Sequence, residues 1–298
     1  MRLSVIKKGD AILQKYIDKA KILIEALPYI KQFNGITTVI KYGGSALINE
    51  EIKNTVIQDI ALMKYVGLKP VVVHGGGPDI TNMLERLNIK NDFVDGLRVT
   101  DDDTMEVVEM VLAGKINKAI AMELSQQGIN AVGLSGRDGK MLKVEKLMPA
   151  GQDIGRVGQV ANVDTHLIKT LIDNDFVPVI SPIGFDDDGT SYNVNADYVA
   201  VAVAGALSAE KLVFLTNVAG VMKDMSDADS KLSKLTAKEA KELLSQGVIS
   251  GGMIPKVECC LAGLDAGVQQ VHILDGGVEH CLVLEVFTKD GIGTLFEK

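Results

Sequence analysis

Two apolar runs in this chain stop abruptly on glycine clusters: Val39-Ile40-Lys41-Tyr42-Gly43-Gly44-Ser45 and Val71-Val72-Val73-His74-Gly75-Gly76-Gly77-Pro78. A short run rich in β-branched residues that ends on glycine reads as a buried strand entering a tight turn. The unit then recurs as apolar run, Gly-rich turn and helical period. Strands are expected at 37–41, 69–74, 131–135, 177–181, 211–216 and 270–274, and helices at 50–65, 80–87, 104–127, 164–173, 196–207 and 237–246. Alternation of this kind predicts an α/β fold, a three-layer αβα sandwich with a mostly parallel central sheet. Residues 138–163 read as hairpins inserted between repeats, and the polar stretch 185–190 as a turn marking a lobe boundary.

Ahead of the first strand, Ile12, Tyr16, Ala20, Leu23, Leu27 and Ile30 recur at spacings of three and four, which predicts an amphipathic helix. Pro28 falls inside the pattern, so a kink or restart is expected there. The stripe needs a cover, either this chain's own body or another subunit.

Composition removes several function classes. The formal charge of −8, from 31 basic and 39 acidic residues, comes without any basic run and argues against a nucleic-acid surface. The longest apolar stretch, 198–209, is too short to span a bilayer, and residues 1–10 do not read as a secretory signal. Cys259, Cys260 and Cys281 have no metal-ligand spacing and read as reduced core thiols. A cytoplasmic protein is expected, and Asp186-Asp187-Asp188 is expected to be a solvated turn rather than a metal site.

Glycines at a strand end let backbone N–H groups approach an anion that a side chain would keep away, and a following helix adds the positive end of its dipole. Lys41 ends the first run, beside Gly43 and Gly44, at the sheet edge where open α/β sheets bind ligands. The pattern is neither Gly-x4-Gly-Lys-Ser/Thr nor Gly-x-Gly-x-x-Gly. Gly75, Gly76 and Gly77 form a possible cradle for oxygen anions, with His74 read as a packed residue rather than a proton carrier. Arg98 stands in a loop before a helix, where its fork suits a carboxylate. Asn193, Asn195 and Asp197 lead into an Ala-rich helix, and Gly251-Gly252-Met253-Ile254-Pro255-Lys256 is a third glycine loop opening a helix. Thr216-Asn217 would share the same edge and suit a nucleotide. Taken singly, each has a bland reading: a solvent lysine, a tight turn, or a first-turn carboxylate complementing the helix dipole.

In combination, Lys41-Tyr42-Gly43-Gly44, His74 to Pro78, Leu97-Arg98-Val99-Thr100, Asn193 to Asp197 and Gly251 to Lys256 resemble the amino acid kinase family, in the family's order and over essentially residues 22–298. The resemblance implies an open αβα sandwich: a kinked N-terminal helix (1–34) for oligomerisation, an N-lobe (35–185) for the acylamino acid, and a C-lobe (186–298) for ATP and arginine regulation. It implies transfer of the γ-phosphoryl of MgATP to the side-chain carboxylate of N-acetyl-L-glutamate, giving an acyl phosphate on the route to arginine, with Mg2+ carried by ATP. By the same resemblance, Lys41 and Lys256 neutralise the moving phosphoryl group, and Asp197 sits between them and orients both. Gly43, Gly44, Thr216 and Asn217 serve the nucleotide. Gly76 and Gly77 hold oxygens, Arg98 grips the α-carboxylate and Asn193 binds the acetylated end. A carboxylate nucleophile is already ionised at neutral pH, so no general base is needed.

The N-terminal helix and the stretch Leu282 to Phe287 further resemble the arginine-inhibited, hexameric members, a trimer of dimers, with L-arginine as inhibitor held by Tyr29, Lys211 and Glu285. Gly276-Gly277 departs from the Gly-Arg that many members carry there. Two alternatives stay open: a non-catalytic arginine sensor on the same lobes, and another phosphotransferase of the family. A nicotinamide oxidoreductase is disfavoured by the missing glycine fingerprint.

Overall fold

The computed structural model describes residues 2–43, 49–224, 227, 230–289 and 291–298, with side chains from Leu13 onward. Eight strands make one sheet, labelled in chain order β1 (Thr37–Tyr42), β2 (Lys69–His74), β3 (Ala131–Ser135), β4 (Val177–Ser181), β5 (Lys211–Thr216), β6 (Lys234–Thr236), β7 (Gln270–Asp275) and β8 (Thr294–Glu297). Across the sheet they run β6-β8-β7-β5-β1-β2-β4-β3. The six strands read from the sequence are mutually parallel, whereas β6 and β8 run together in the opposite sense at one edge.

The strands are apolar on both faces because both faces are covered. Val39, Val71, Val73, Leu212, Phe214, Val271 and Ile273 join one buried cluster, while Ile40, Val72, Val213, Leu215 and Leu274 join the other. The alternation is the two-residue period of a strand. Helices Ala196–Leu207 and Ile254–Asp265 cover the first face, and Glu50–Tyr65 and Cys281–Val286 the second. The helical stretch expected at 104–127 lies on that second face and is interrupted: α-helices Asp102–Glu109 and Asn117–Gln126 flank a π-helical segment, Met110–Ile116.

The inserted hairpins close on themselves. Strands Leu142–Lys146, Val157–Val163, Ile183–Phe185 and Ser191–Val194 form a small barrel. Residues 186–190 are the turn of its last hairpin, where Asp186 Oδ1 accepts the Asp188 and Thr190 N–H groups at 3.0 and 2.8 Å.

The N-terminal element is one helix, Arg2–Phe33, that carries Pro28 inside it, so of the expected kink or restart the restart does not occur. Its last turns rest on the core through Tyr29, Ile30 and Phe33, but Tyr16, Leu23 and Leu27 of the apolar stripe stay exposed. No helix among the described residues is long and apolar enough to cross a membrane. All three cysteines are buried and unpaired with one another, and burial holds the Cys259 thiol up at about 12.

Candidate active site

Parallel strands end on one edge, so β1, β2 and β5 deliver their terminal loops to a common crevice. Lys41 shares its face of β1 with Val39, which packs in the same cluster as Val199 and Val203 of helix Ala196–Leu207. The lysine therefore leaves the sheet toward the first turn of that helix. There Lys41 Nζ meets Asp197 Oδ1 at 3.0 Å, both side chains largely shielded. The contact is an ion pair, without a hydrogen bond to Asp197 Oδ1 among the described residues. Asn195 starts the helix by accepting the Asp197 N–H at 2.8 Å.

The glycine loops of β1 and β2 touch. Gly75 N–H donates to Tyr42 O at 2.8 Å, and a Cβ on Gly75 would stand 3.9 Å from Gly43 Cα. A Cβ on Gly43 would lie 2.9 Å from Lys41 Nζ, so the ammonium lies folded over that glycine. Gly77 opens helix Gly77–Arg86 with Pro78 in its first turn, leaving an N-terminus without a side-chain cap. Gly44 lies outside the described residues.

A cleft beyond these loops is lined by Gly75, Gly76, Gly77, Arg98, Asn193 and Asn195, among others. Arg98 is nearly buried (7 % exposed), donates from Nη2 to Gly77 O and Thr81 Oγ1 at 3.0 Å each and from Nη1 to Asn91 Oδ1, and stacks over Phe93 at 4.8 Å. No carboxylate forms an ion pair with it among the described residues. Burial pulls its pKa down, because desolvation disfavours the charged guanidinium. Asn193 Nδ2 donates to Thr100 Oγ1 at 3.3 Å.

Lys256 lies in the first turn of helix Ile254–Asp265, which follows the 3-10 turn Gly251–Met253. One turn further on, Cys259 feels the charges of both Asp197 and Lys41. Lys256 itself forms no ion pair among the described residues, so Asp197 is held by Lys41 rather than shared between the two lysines. Thr216 Oγ1 is tied into its own turn, 3.2 Å from the Val218 and Leu274 carbonyl oxygens, while Asn217 is exposed.

Tyr29, Lys211 and Glu285 meet in a separate cavity with Phe33, Gln270 and His272. Glu285 lies in helix Cys281–Val286, where burial alone would raise its pKa. A 2.7 Å contact with His272 Nδ1 and the N–H groups of Ile292 and Gly293, at 2.7 and 2.9 Å, turn the shift downward. Lys211 Nζ donates to Gln270 Oε1 and sits 4.4 Å from the Phe33 ring centre; burial holds its pKa at about 8.

Sequence reasoning missed Asn91 and Thr81, which brace Arg98, and Asn117, discussed below. Thr81 follows Pro78 by three residues, which is a helix-face relation to the glycine loop, but no motif marks Asn91 or Asn117. Among the described residues no group of three or more His, Cys, Asp or Glu is placed to hold a metal ion.

The sequence profile described as the amino acid kinase family matches residues 37–275. An acetylglutamate kinase from Thermoanaerobacter sp. (strain X514) is 53% identical over 288 residues, 96% of each chain. Among solved structures, N-acetylglutamate synthase from Neisseria gonorrhoeae complexed with coenzyme A and N-acetyl-glutamate superimposes with a TM-score of 0.82 at 28% identity; 94% of this chain matches 63% of that one. The same synthase complexed with coenzyme A and L-arginine gives 0.77 at 26% identity, covering 94% and 65% of the two chains. With a profile match spanning most of its length and a relative identical at half its positions, this chain belongs to the amino acid kinase family.

Proposed function

We propose that this protein transfers the γ-phosphoryl group of MgATP to the side-chain carboxylate of N-acetyl-L-glutamate, giving an acyl phosphate and ADP. The observation that carries the reading is Arg98: a buried guanidinium without a carboxylate partner among the described residues, fixed at the wall of a cleft that it shares with three glycines and Asn193. Such a group is built for an anionic ligand, and its forked donors suit the α-carboxylate of an acylamino acid. The half-identical relative that bears the name acetylglutamate kinase supports the same substrate.

The obstacle to the reaction is repulsion between a carboxylate and a triphosphate. Lys41 supplies positive charge where the two meet, and Asp197 keeps that ammonium pointed inward. Lys256 serves the nucleotide side from the first turn of its helix, with Gly43, Gly44, Thr216 and Asn217 forming the nucleotide wall. Charges and N–H dipoles fixed in place before reaction lower the barrier without reorganising during it. The metal arrives with ATP as part of the substrate. Residues 35–185, joined by Asn193, hold the acylamino acid, and the rest of 186–298 the nucleotide. The test is ADP release that depends on N-acetyl-L-glutamate across a panel of acylated and free amino acids; ADP release without that dependence would replace the substrate.

The second cavity supports feedback inhibition by L-arginine. A buried carboxylate at Glu285, a lysine of lowered pKa at Lys211 and the ring of Tyr29 offer an acid, a base and an apolar wall to one amino acid. The structural neighbour solved with L-arginine supports the reading. The exposed apolar stripe of the N-terminal helix supports a homohexamer in which that helix packs on a second copy. Activity measured with and without millimolar arginine, alongside light scattering, tests both; unchanged activity removes the regulatory site and a monomeric mass removes the assembly.

A further inference from the structure

The glycine loop after β2 is held from beneath by a hydrogen-bond chain that the phosphoryl transfer described above does not use. Asn117 is fully buried where π-helix Met110–Ile116 returns to α-helix. Its Nδ2 donates to Val179 O at 2.9 Å and Leu134 O at 3.2 Å, and lies 3.1 Å from His74 Nε2. Two carbonyl neighbours require the amide nitrogen here, and its two hydrogens are shared among three acceptors, so His74 Nε2 faces a donor-only group and carries no proton. On the other side of the ring, His74 Nδ1 lies 2.8 Å from Gly75 O, which can only accept, so Nδ1 carries the proton. Both contacts demand the same neutral tautomer. Burial agrees, drawing the His74 pKa down to about 4.

A trans peptide sends its C=O and N–H to opposite sides. With Gly75 O turned onto the His74 ring, the Gly76 N–H leaves from the opposite side of the loop, and it has no backbone partner among the described residues. Gly76 lines the cleft beside Arg98. The π-helical segment also fixes this glycine sterically: a Cβ there would stand 2.4 Å from Ile116 Cδ1 and 2.6 Å from Leu112 Cδ2. Leu112, Ile116 and Asn117 therefore grip the loop together, a convergence that the wider π turn permits.

We propose that Asn117 and His74 are positioning residues, setting the Gly75–Gly76 peptide so that its N–H donates to an anionic oxygen in the cleft. The inference rests on the phosphotransferase reading of that cleft. His74→Asn keeps a donor at the place of Nδ1, whereas His74→Gln keeps a group only at the place of Nε2. Expected is a His74→Asn enzyme within a few-fold of the parent, and a His74→Gln enzyme with kcat down about 10- to 100-fold at nearly unchanged KM, as misaligned donors cost. Equal kcat values in the two variants, or a loss confined to KM, overturn the proposal. Ring-nitrogen NMR shifts of His74 in the parent enzyme provide a readout independent of both folding and activity. The Nδ1–H tautomer at neutral pH is expected, and Nε2–H or imidazolium overturns the proposal. If ADP release proves independent of N-acetyl-L-glutamate, the substrate reading fails while the ring nitrogens still decide the orientation of the loop.

Discussion

Lys41 Nζ and Asp197 Oδ1 stand 3.0 Å apart because the face of β1 that carries Lys41 also packs on the helix whose first turn carries Asp197. The sheet thereby aims a cation at its own carboxyl edge and supplies an acid to hold it there. In the proposed role, removing the ammonium removes a charge contact that strengthens as the phosphoryl group moves. Lys41→Ala is expected to lower kcat at least 100-fold, about 3 kcal/mol, with substrate KM values changed only a few-fold. Asp197→Asn leaves the lysine present but unsteered and should lose less. Steady-state kinetics of both variants check the order, and near-normal turnover in Lys41→Ala would contradict the role.

Gly43→Ala tests the same ammonium from the backbone side. The added methyl would sit 2.9 Å from Lys41 Nζ and 3.3 Å from Cε, and both belong to the far end of a flexible side chain. Gly43 is not among the glycines with positive φ, so alanine adopts its backbone without strain. Folding should therefore be kept, with the melting temperature within a few degrees of the parent, while kcat falls about 10-fold or more because the charge is displaced. Loss of stability with intact kcat would mean that the glycine serves packing.

Arg98→Met should separate binding from folding. If Arg98 grips the α-carboxylate as proposed, the variant loses a charge-assisted contact worth about 1.5–3 kcal/mol, so KM for N-acetyl-L-glutamate should rise roughly 10- to 100-fold while KM for ATP holds. The same change relieves the desolvation of a buried cation that has no carboxylate partner among the described residues, but leaves Gly77 O and Asn91 Oδ1 without their donor, so the two effects on stability oppose each other. A KM unmoved by Arg98→Met would place the α-carboxylate elsewhere.

The central sheet was readable because its six parallel strands are buried on both faces and so appear as unbroken apolar runs; β2, β3, β4 and β5 fall where the pattern put them. β6 and β8 were not. Lys234–Thr236 and Thr294–Glu297 are three and four residues long, lie at the antiparallel edge and mix polar with apolar positions. Only a long-range pairing makes strands of them. Only the half of the barrel within 138–163 reads as hairpins from sequence; 185–190, which reads as a lobe boundary, is the turn of its other hairpin, and closure depends on Leu142–Lys146 meeting Ile183–Phe185, which no local pattern encodes.

Within the site, the glycines, Lys41 and Arg98 stood out because each is an expensive or unusual choice at a strand end or in a loop. Their supports did not. Asn117 reads as an ordinary polar residue in a helix until the π turn carries it inward against His74, and Asn91 as a loop residue until Arg98 folds onto it. Asp197 pairs with Lys41, whereas no ion pair joins it to Lys256 among the described residues. Which charged groups of the packed helices Ala196–Leu207 and Ile254–Asp265 meet is set by side-chain placement that sequence spacing does not contain.

Lys211 makes a prediction about stability alone. Its ammonium is nearly buried (5 % exposed), facing Gln270 Oε1, the Phe33 ring and, more distantly, Glu285. Burial lowers its pKa from 10.5 to about 8, against the opposing pull of Glu285. Below the folded value both folded and unfolded chains carry the charge, and the folded one bears the full cost of desolvating it. Between about 8 and 10.5 the folded chain has released its proton while the unfolded chain has not, so stability rises with pH across that window. The relief totals about 3 kcal/mol once both states are neutral. In Lys211→Met the cost is absent at every pH. The variant should therefore exceed the parent in unfolding free energy at pH 7, less the lost bond to Gln270, and this margin should shrink as pH climbs toward 10. Urea unfolding of both proteins at matched pH values gives the difference directly, with other titrating groups cancelling. A margin independent of pH would show that Lys211 is not held as a desolvated cation.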